Sequence, residues 1–267
     1  MADIDRAFGR RAFGDDPRGY DSSRPPYPEW VFETLRDRCG LAPGAAVFEI
    51  GAGTGTATRR LLELGAAPLV AVEPDERLAG FLRASTASED LSLLTQPFEE
   101  AVFPRADFDL GVCATAFHWL NEQKALAKIA ALLRPGGWWA MVWNVFGDPD
   151  RADPFHDATF ALLNDGPRSP GNGGPGGVPF ALNVQHRMSA FGRRPEFTAV
   201  SHEARPWELV LDPDQVVALY STYSDMTARP APEQRQVLAQ LRRIAADEFG
   251  GRVVRNMITI LYTARRR

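Results

Sequence analysis

Short apolar runs alternate with stretches of helical period through the first half of the chain. Ala46-Val47-Phe48-Glu49-Ile50 stops at glycines and is followed by a helical pattern over 57–64. Leu69-Val70-Ala71-Val72 precedes a second helix over 75–84 that starts at Pro74 or Asp75. Residues 91–94 make a third apolar run, and Phe108-Asp109-Leu110-Gly111-Val112-Cys113 a fourth. A helix over 122–133 then closes at Arg134-Pro135-Gly136-Gly137, ahead of the fifth run, Trp138-Trp139-Ala140-Met141-Val142-Trp143. Short apolar runs bounded by turn residues read as buried strands, and the longer periodic stretches as helices. Strands that alternate with helices at this spacing predict βαβ units and a mainly parallel sheet covered on both faces, so the expected fold class is α/β.

Beyond Asn144 the alternation breaks. A helix is predicted over 153–163, further helices over 213–223 and 232–249, a strand within 197–211, and a late strand at Met257-Ile258-Thr259-Ile260-Leu261-Tyr262. The Gly/Pro-rich stretch 165–179, with Gly171-Asn172-Gly173-Gly174-Pro175-Gly176-Gly177 inside it, predicts a mobile surface loop or lid, because it has little apolar surface to bury. At the other end, residues 1–30 mix Arg, Asp, Gly and Pro with isolated aromatics and read as an irregular or partly helical arm. The rest, 31–267, reads as one domain that opens with a helix from Pro28 to about Arg38. No internal repeat is visible.

Composition narrows the class without changing this picture. With 267 residues, 45% hydrophobic and 24% charged, the chain suits one large globular domain. Thirty Lys and Arg against 34 Asp and Glu give a net charge of −4, which supplies no field for a polyphosphate and argues against a nucleic-acid partner. Two cysteines, Cys39 and Cys113, make a disulfide framework unexpected. No run has signal-peptide or bilayer-spanning character, so a cytoplasmic protein without a membrane partner is expected.

Chemistry enters at the end of the first strand. Glu49-Ile50-Gly51-Ala52-Gly53-Thr54-Gly55 places three glycines where an open α/β sheet binds ligands, beyond the carboxyl ends of its strands. Glycine permits both the turn and close approach of the backbone. The spacing is Gly-x-Gly-x-Gly, whereas dinucleotide sites use Gly-x-Gly-x-x-Gly to lead a pyrophosphate onto a helix N-terminus. A nucleoside cofactor without phosphate has no such need. Glu73 ends the second strand, where its carboxylate could accept from both ribose hydroxyls. That position suits an NAD site equally.

Four blocks between Val47 and Trp143 resemble the class I S-adenosylmethionine-dependent methyltransferases of the small-molecule type, including the ubiquinone/menaquinone-biosynthesis and trans-aconitate methyltransferase relatives. They are the glycine loop from Val47 to Gly55, Val72-Glu73-Pro74-Asp75, the run from Phe108 to Trp119, and Leu133-Arg134-Pro135-Gly136-Gly137. The resemblance implies a Rossmann-like sheet of seven strands, mainly parallel with an antiparallel last strand, helices on both faces, and S-adenosylmethionine across the strand ends. Glu49 and the backbone of Gly51, Ala52 and Gly53, with Gly55 closing the turn, would hold the methionine part, and Glu73 and Pro74 the ribose side. Phe98 and Glu99 would frame adenine, although a common Asp-Ala-Glu pattern stands here as Pro97-Phe98-Glu99. Ala114 and Thr115 would border the methyl group. The family's N-terminal lid corresponds to Tyr20-Asp21-Ser22-Ser23-Arg24-Pro25-Pro26-Tyr27-Pro28, in which Tyr20 and Arg24 can reach the cofactor carboxylate or the acceptor. The resemblance also implies a helical and loop substrate cap within 146–211.

Methyl transfer from a sulfonium is a displacement in which the protein mainly positions the reactants and excludes water. A general base is needed only for an acceptor protonated at neutral pH. His118 is the candidate, with packing against the next helix as its alternative role. Trp119 and Trp143 are candidates for the acceptor pocket, and the scattered histidines predict no metal. A small-molecule acceptor is expected. An NAD-dependent oxidoreductase, a nucleic-acid or protein methyltransferase and an inactive cofactor-binding scaffold remain the alternatives. The Asn/Asp-Pro-Pro-Tyr/Phe segment and the Pro-Cys pair of base methyltransferases are absent, and the fourth strand ends in Ala114-Thr115-Ala116-Phe117.

Overall fold

The computed structural model describes residues 3–148, 150–172 and 177–267. The arm carries two short helices, α1 (Arg6–Gly9) and α2 (Pro17–Ser23), before α3 (Glu29–Asp37). Strands and helices then alternate as β1 (Ala45–Ile50), α4 (Thr56–Glu63), β2 (Ala66–Val72), α5 (Glu76–Ser85), β3 (Leu91–Leu94), β4 (Phe108–Ala114), α6 (Glu122–Leu132) and β5 (Leu133–Phe146). The remainder comprises α7 (Pro154–Leu163), α8 (Val184–Gly192), β6 (Phe197–Leu211), α9 (Pro213–Ser221), α10 (Ser224–Thr227), α11 (Ala231–Asp247) and β7 (Val253–Arg266).

The seven strands lie in the order β3-β2-β1-β4-β5-β7-β6. β1 is parallel to both β2 and β4, and β7 is antiparallel to β5 and β6. This is the expected Rossmann-like sheet with an antiparallel last strand. Strand order reverses between β1 and β4, so the chains leaving these two strands diverge and open a crevice at their carboxyl ends.

The pleat sorts β1 onto two cores. Ala46, Phe48 and Ile50 face a cluster with α6 and α8, and Ala45 and Val47 face a second one with α3, α4 and α5. Arg134-Pro135-Gly136-Gly137, expected to end a helix, is instead a bulge at the start of β5. Its neighbours pair in register as Phe108 with Leu133 and Leu110 with Trp138, so four residues of β5 lie opposite one of β4.

β6 and β7 are longer than the runs that announce them, and their far ends carry a third core. Leu211 and Val253 pack there with Phe155 of α7, Val216, Leu219 and Tyr220 of α9, and Val237 and Leu241 of α11. Within 146–211, therefore, α7 and α8 stand over the sheet while β6 belongs to it, and α9 to α11 add to the cover from outside that window. Of the Gly/Pro-rich stretch, residues 173–176 lie outside the described residues. Among the described residues no helix is long and apolar enough to cross a membrane.

Candidate functional site

The glycine loop leaves β1 and turns back across β2. Gly51 and Ala52 N–H both donate to the carbonyl of Val72, at 2.8 and 3.1 Å. Gly51 has φ +71°, and a Cβ there would stand 2.4 Å from the Cβ of Ala116, so both the turn and the approach of the loop after β4 require glycine. Gly55, at φ +96°, opens α4, and a Cβ on it would meet Leu82 at 2.4 Å.

Glu73 is held from two sides. Gly53 N–H donates to its Oε2 at 2.8 Å and Asp75 N–H to its Oε1 at 2.9 Å. A carboxylate has four lone-pair sites, so each oxygen keeps one free, and the group borders the cavity. Burial pushes its pKa up to about 7 against the lowering effect of those two amides. Glu49 lies beneath the loop and accepts from Thr58 Oγ1 at 2.6 Å, and burial raises it too to about 7.

The crevice widens into a cavity of about 910 Å³. Its inner end is bordered by Gly51, Gly53, Val72, Glu73, Pro74, Phe98, Ala114 and Thr115. Phe98 is buried, with Lys128 Nζ 5.0 Å from its ring centre. Lys128 also donates to the carbonyls of Phe98 and Ala101, both at 2.7 Å, which fixes the departing Pro97-Phe98-Glu99 segment. Glu99 points to the arm and pairs with Arg10 at 2.9 Å.

Thr115 has φ +57°, a conformation that a β-branched residue adopts at a cost of about 1–3 kcal/mol. It is held there by a 2.7 Å hydrogen bond between its hydroxyl and that of Tyr27, and by its N–H donating to Val142 O at 2.8 Å. The arm thus fixes a residue of the cavity floor. Asn144 Nδ2 donates to the carbonyls of Pro25 and Pro26, tying the same segment to β5.

Arg24 lies between two rings, 4.8 Å from the centre of Tyr20 and 4.3 Å from that of Tyr223, and donates to Thr222 O at 2.7 Å. Its Nε is buried without a partner, as is Thr54 Oγ1. Arg24 and Thr54 border one recess of about 70 Å³, together with Glu49, Gly51 and Thr115. Elsewhere the arm is held by Arg59 with Asp21 at 2.7 Å and by Arg77 with Asp15. Pairs as accessible as these contribute about 0–1 kcal/mol each.

His118 borders the cavity with one ring nitrogen already engaged. Trp143 Nε1–H donates to its Nδ1 at 3.2 Å, so that nitrogen is an acceptor and the ring proton sits on Nε2. Burial, assisted by the charge of Arg24, pushes its pKa down to about 3. A neutral ring whose lone pair is already engaged presents a donor to the cavity and takes no proton. Trp143 and Trp119 also border the cavity, with Gly9 of the arm packed on the Trp119 ring.

The cavity thus gathers every residue expected of the site except Glu49, Ala52, Gly55 and Glu99. The first two border the small recess, Gly55 shapes the turn, and Glu99 faces the arm. Sequence reasoning did not single out Lys128, Tyr223, Asp225 or Asn144. Lys128 and Asn144 act on backbone carbonyls far along the chain, and Tyr223 and Asp225 belong to a helical region without a chemical motif. Among the described residues no three His, Cys, Asp or Glu lie close enough together to hold a metal ion.

Residues 47–137 match the family model described as methyltransferase domain. An uncharacterized methyltransferase of Schizosaccharomyces pombe is 24% identical over 261 residues, covering 95% of this chain and 96% of the relative. Among solved structures, a protein of Anaeromyxobacter dehalogenans assigned as a type II methyltransferase superposes with a TM-score of 0.62 at 22% identity, over 91% of this chain and 97% of that one. Phosphoethanolamine N-methyltransferase 2 of Haemonchus contortus, in complex with phosphomonomethylethanolamine and S-adenosylhomocysteine, superposes with a TM-score of 0.57 at 13% identity, over 95% of this chain and 57% of that one.

Proposed function

From the premise that this chain is a class I S-adenosylmethionine-dependent methyltransferase, we propose that it methylates a small molecule enclosed between the sheet and the helices above it. The observation that carries the cofactor's place is the pair of unpartnered buried atoms, Arg24 Nε and Thr54 Oγ1, on a recess shared with Glu49. An amino-acid end has the chemistry they lack. Its carboxylate takes a guanidinium N–H and its ammonium pairs with a carboxylate. Glu73, with one free lone pair on each oxygen, accepts from two vicinal hydroxyls, and Phe98 and Pro74 wall the base.

When bound, the cofactor supplies an activated methyl on sulfur. The chain's own residues orient and enclose. Thr115 is locked at the floor by Tyr27, the aromatic side chains exclude water, and His118 offers Nε2–H to an acceptor oxygen or nitrogen. His118 has its Nδ1 engaged by Trp143 and is not poised as a base, which suits an acceptor that arrives with a free lone pair. The size of the cavity supports a small acceptor beside the cofactor, since about 910 Å³ stands at the upper end of single-ligand pockets. The arm and helical cover give little room for a polymer.

Calorimetric titration with S-adenosylhomocysteine, followed by a release assay for that product across small amines, acids and phenols, tests the reading. Saturable binding and turnover of a small acceptor are expected. Stabilisation by NAD(H) without binding of S-adenosylhomocysteine would overturn it.

A further inference from the structure

The outer half of the cavity contains a carboxylate that nothing in the cofactor's chemistry uses. Asp225, in the short α10, borders the cavity beside Tyr223, Ser224 and Met226. One oxygen accepts from Met226 N–H at 3.0 Å and the other is 3.4 Å from Asn172 Nδ2. These are weak partners for a half-buried charge, and burial raises its pKa from the ordinary carboxylate value.

Three of the cations around it, Arg229, Arg255 and Arg24, are engaged. Arg229, behind it, pairs with Glu233 at 2.6 Å and donates to Leu163 O at 3.1 Å. Arg255 is taken by Asp153 at 2.9 Å and by the Tyr220 hydroxyl. Arg24 lies against the Tyr223 ring and donates to Thr222 O. Arg168 borders the cavity too, at the arm end; its carbonyl accepts from Ile4 N–H at 2.9 Å, and its guanidinium makes no ion pair among the described residues. A half-buried carboxylate facing a cavity without an ion-pair partner of its own carries a cost that a cationic ligand would offset.

Aromatic side chains surround this half. Trp143 and Phe180 lie 5.8 Å apart, Phe146 and Tyr223 5.9 Å apart, and all four border the same space. Ring faces attract a cation and accommodate an apolar body, and they offer nothing to a second carboxylate.

We propose that Asp225 seats a protonated or hydrogen-bond-donating amino group of the methyl acceptor, apart from the atom that is methylated, so that the acceptors are small molecules with an amino group and an apolar body rather than carboxylic acids. The inference rests on the methyltransferase reading above, since it takes the outer cavity as the acceptor's place. Asp225 is a binding residue. It touches the acceptor's amino group and takes no part in making or breaking bonds. His118 Nε2–H, near Gly171 and hence near Asn172, is left for a second polar atom of the same ligand.

The test uses the full chain saturated with S-adenosylhomocysteine and titrated calorimetrically with phenethylamine and tryptamine, and with the matched acids 3-phenylpropionate and indole-3-propionate. At least one amine is expected to bind about tenfold or more tightly than its matched acid, the yield of a charge-assisted hydrogen bond. Asp225→Asn should remove about tenfold or more of that amine's affinity, leave the acids unchanged or improved, and keep S-adenosylhomocysteine affinity within about twofold, which also reports that the variant is folded. Acids bound as tightly as the amines, no amine bound at all, or an amine affinity indifferent to Asp225→Asn would each overturn the assignment while leaving the methyltransferase reading intact. Failure of the unaltered protein to bind S-adenosylhomocysteine would overturn both.

Discussion

The indole N–H of Trp143 donates to Nδ1 of His118 at 3.2 Å, and this one bond fixes which way the imidazole can act. With Nδ1 engaged and the pKa held near 3 by burial, His118 is a donor throughout the neutral range. His118→Gln, which can accept from Trp143 and donate to the cavity, should keep kcat/KM within about tenfold of the unaltered enzyme. The pH profile should show no limb attributable to an imidazole. A loss of about a hundredfold or more, the scale of a removed general base, would restore the catalytic role.

Glu73 should dominate cofactor affinity. Glu73→Ala removes the acceptor for two hydroxyls and should weaken S-adenosylhomocysteine binding by about 1–3 kcal/mol, as read by calorimetry. Because its pKa is raised to about 7, the carboxyl is largely protonated below that pH and has fewer lone pairs to offer. Binding should therefore strengthen as pH rises from 6 to 8, with proton release between 6 and 7 visible as a dependence of the heat on the buffer.

Glu49 should limit the stability of the ligand-free protein. Its folded pKa, about 7, lies above the unfolded value near 4.5, so the stability it contributes is full below pH 4.5 and is lost as pH rises through 7. Glu49→Gln retains the hydrogen bond with Thr58 without the charge. It should match the unaltered protein near pH 4 and exceed it at pH 8 by about 3 kcal/mol in denaturant unfolding. A difference independent of pH would count against a buried charge as the cause.

Gly51→Ala should be severe. The left-handed conformation alone costs a side chain about 1–2 kcal/mol, and the contact with Ala116 at 2.4 Å would also displace the loop after β4. A lowered Tm together with at least about tenfold weaker S-adenosylhomocysteine binding is expected, because one backbone turn serves both. Gly40→Ala is the control. It has a similar φ, +76°, and nothing within 4 Å of a Cβ, so it should lower Tm without changing affinity.

Much of this protein was determined by its sequence alone. The alternation of apolar runs with helical periods sets the parallel half of the sheet, because a buried strand and an amphipathic helix leave different periodicities in a linear pattern. The glycine spacing and Glu73 mark the proposed cofactor end for the same local reason: each acts within a few residues of a strand terminus. The tertiary structure decided what depends on partners distant in the chain. The bulge at Arg134–Gly137 is fixed by register against β4. The cover drew on α9 to α11 because the long hairpin of β6 and β7 carries their core beyond the sheet. The proton on His118 was set by an indole 25 residues away, and the surroundings of Asp225 by Asn172, 53 residues away. Hydrogen-bond partners and counterions are three-dimensional facts, and they support reading His118 as a donor and an unmarked aspartate as the acceptor's proposed anchor.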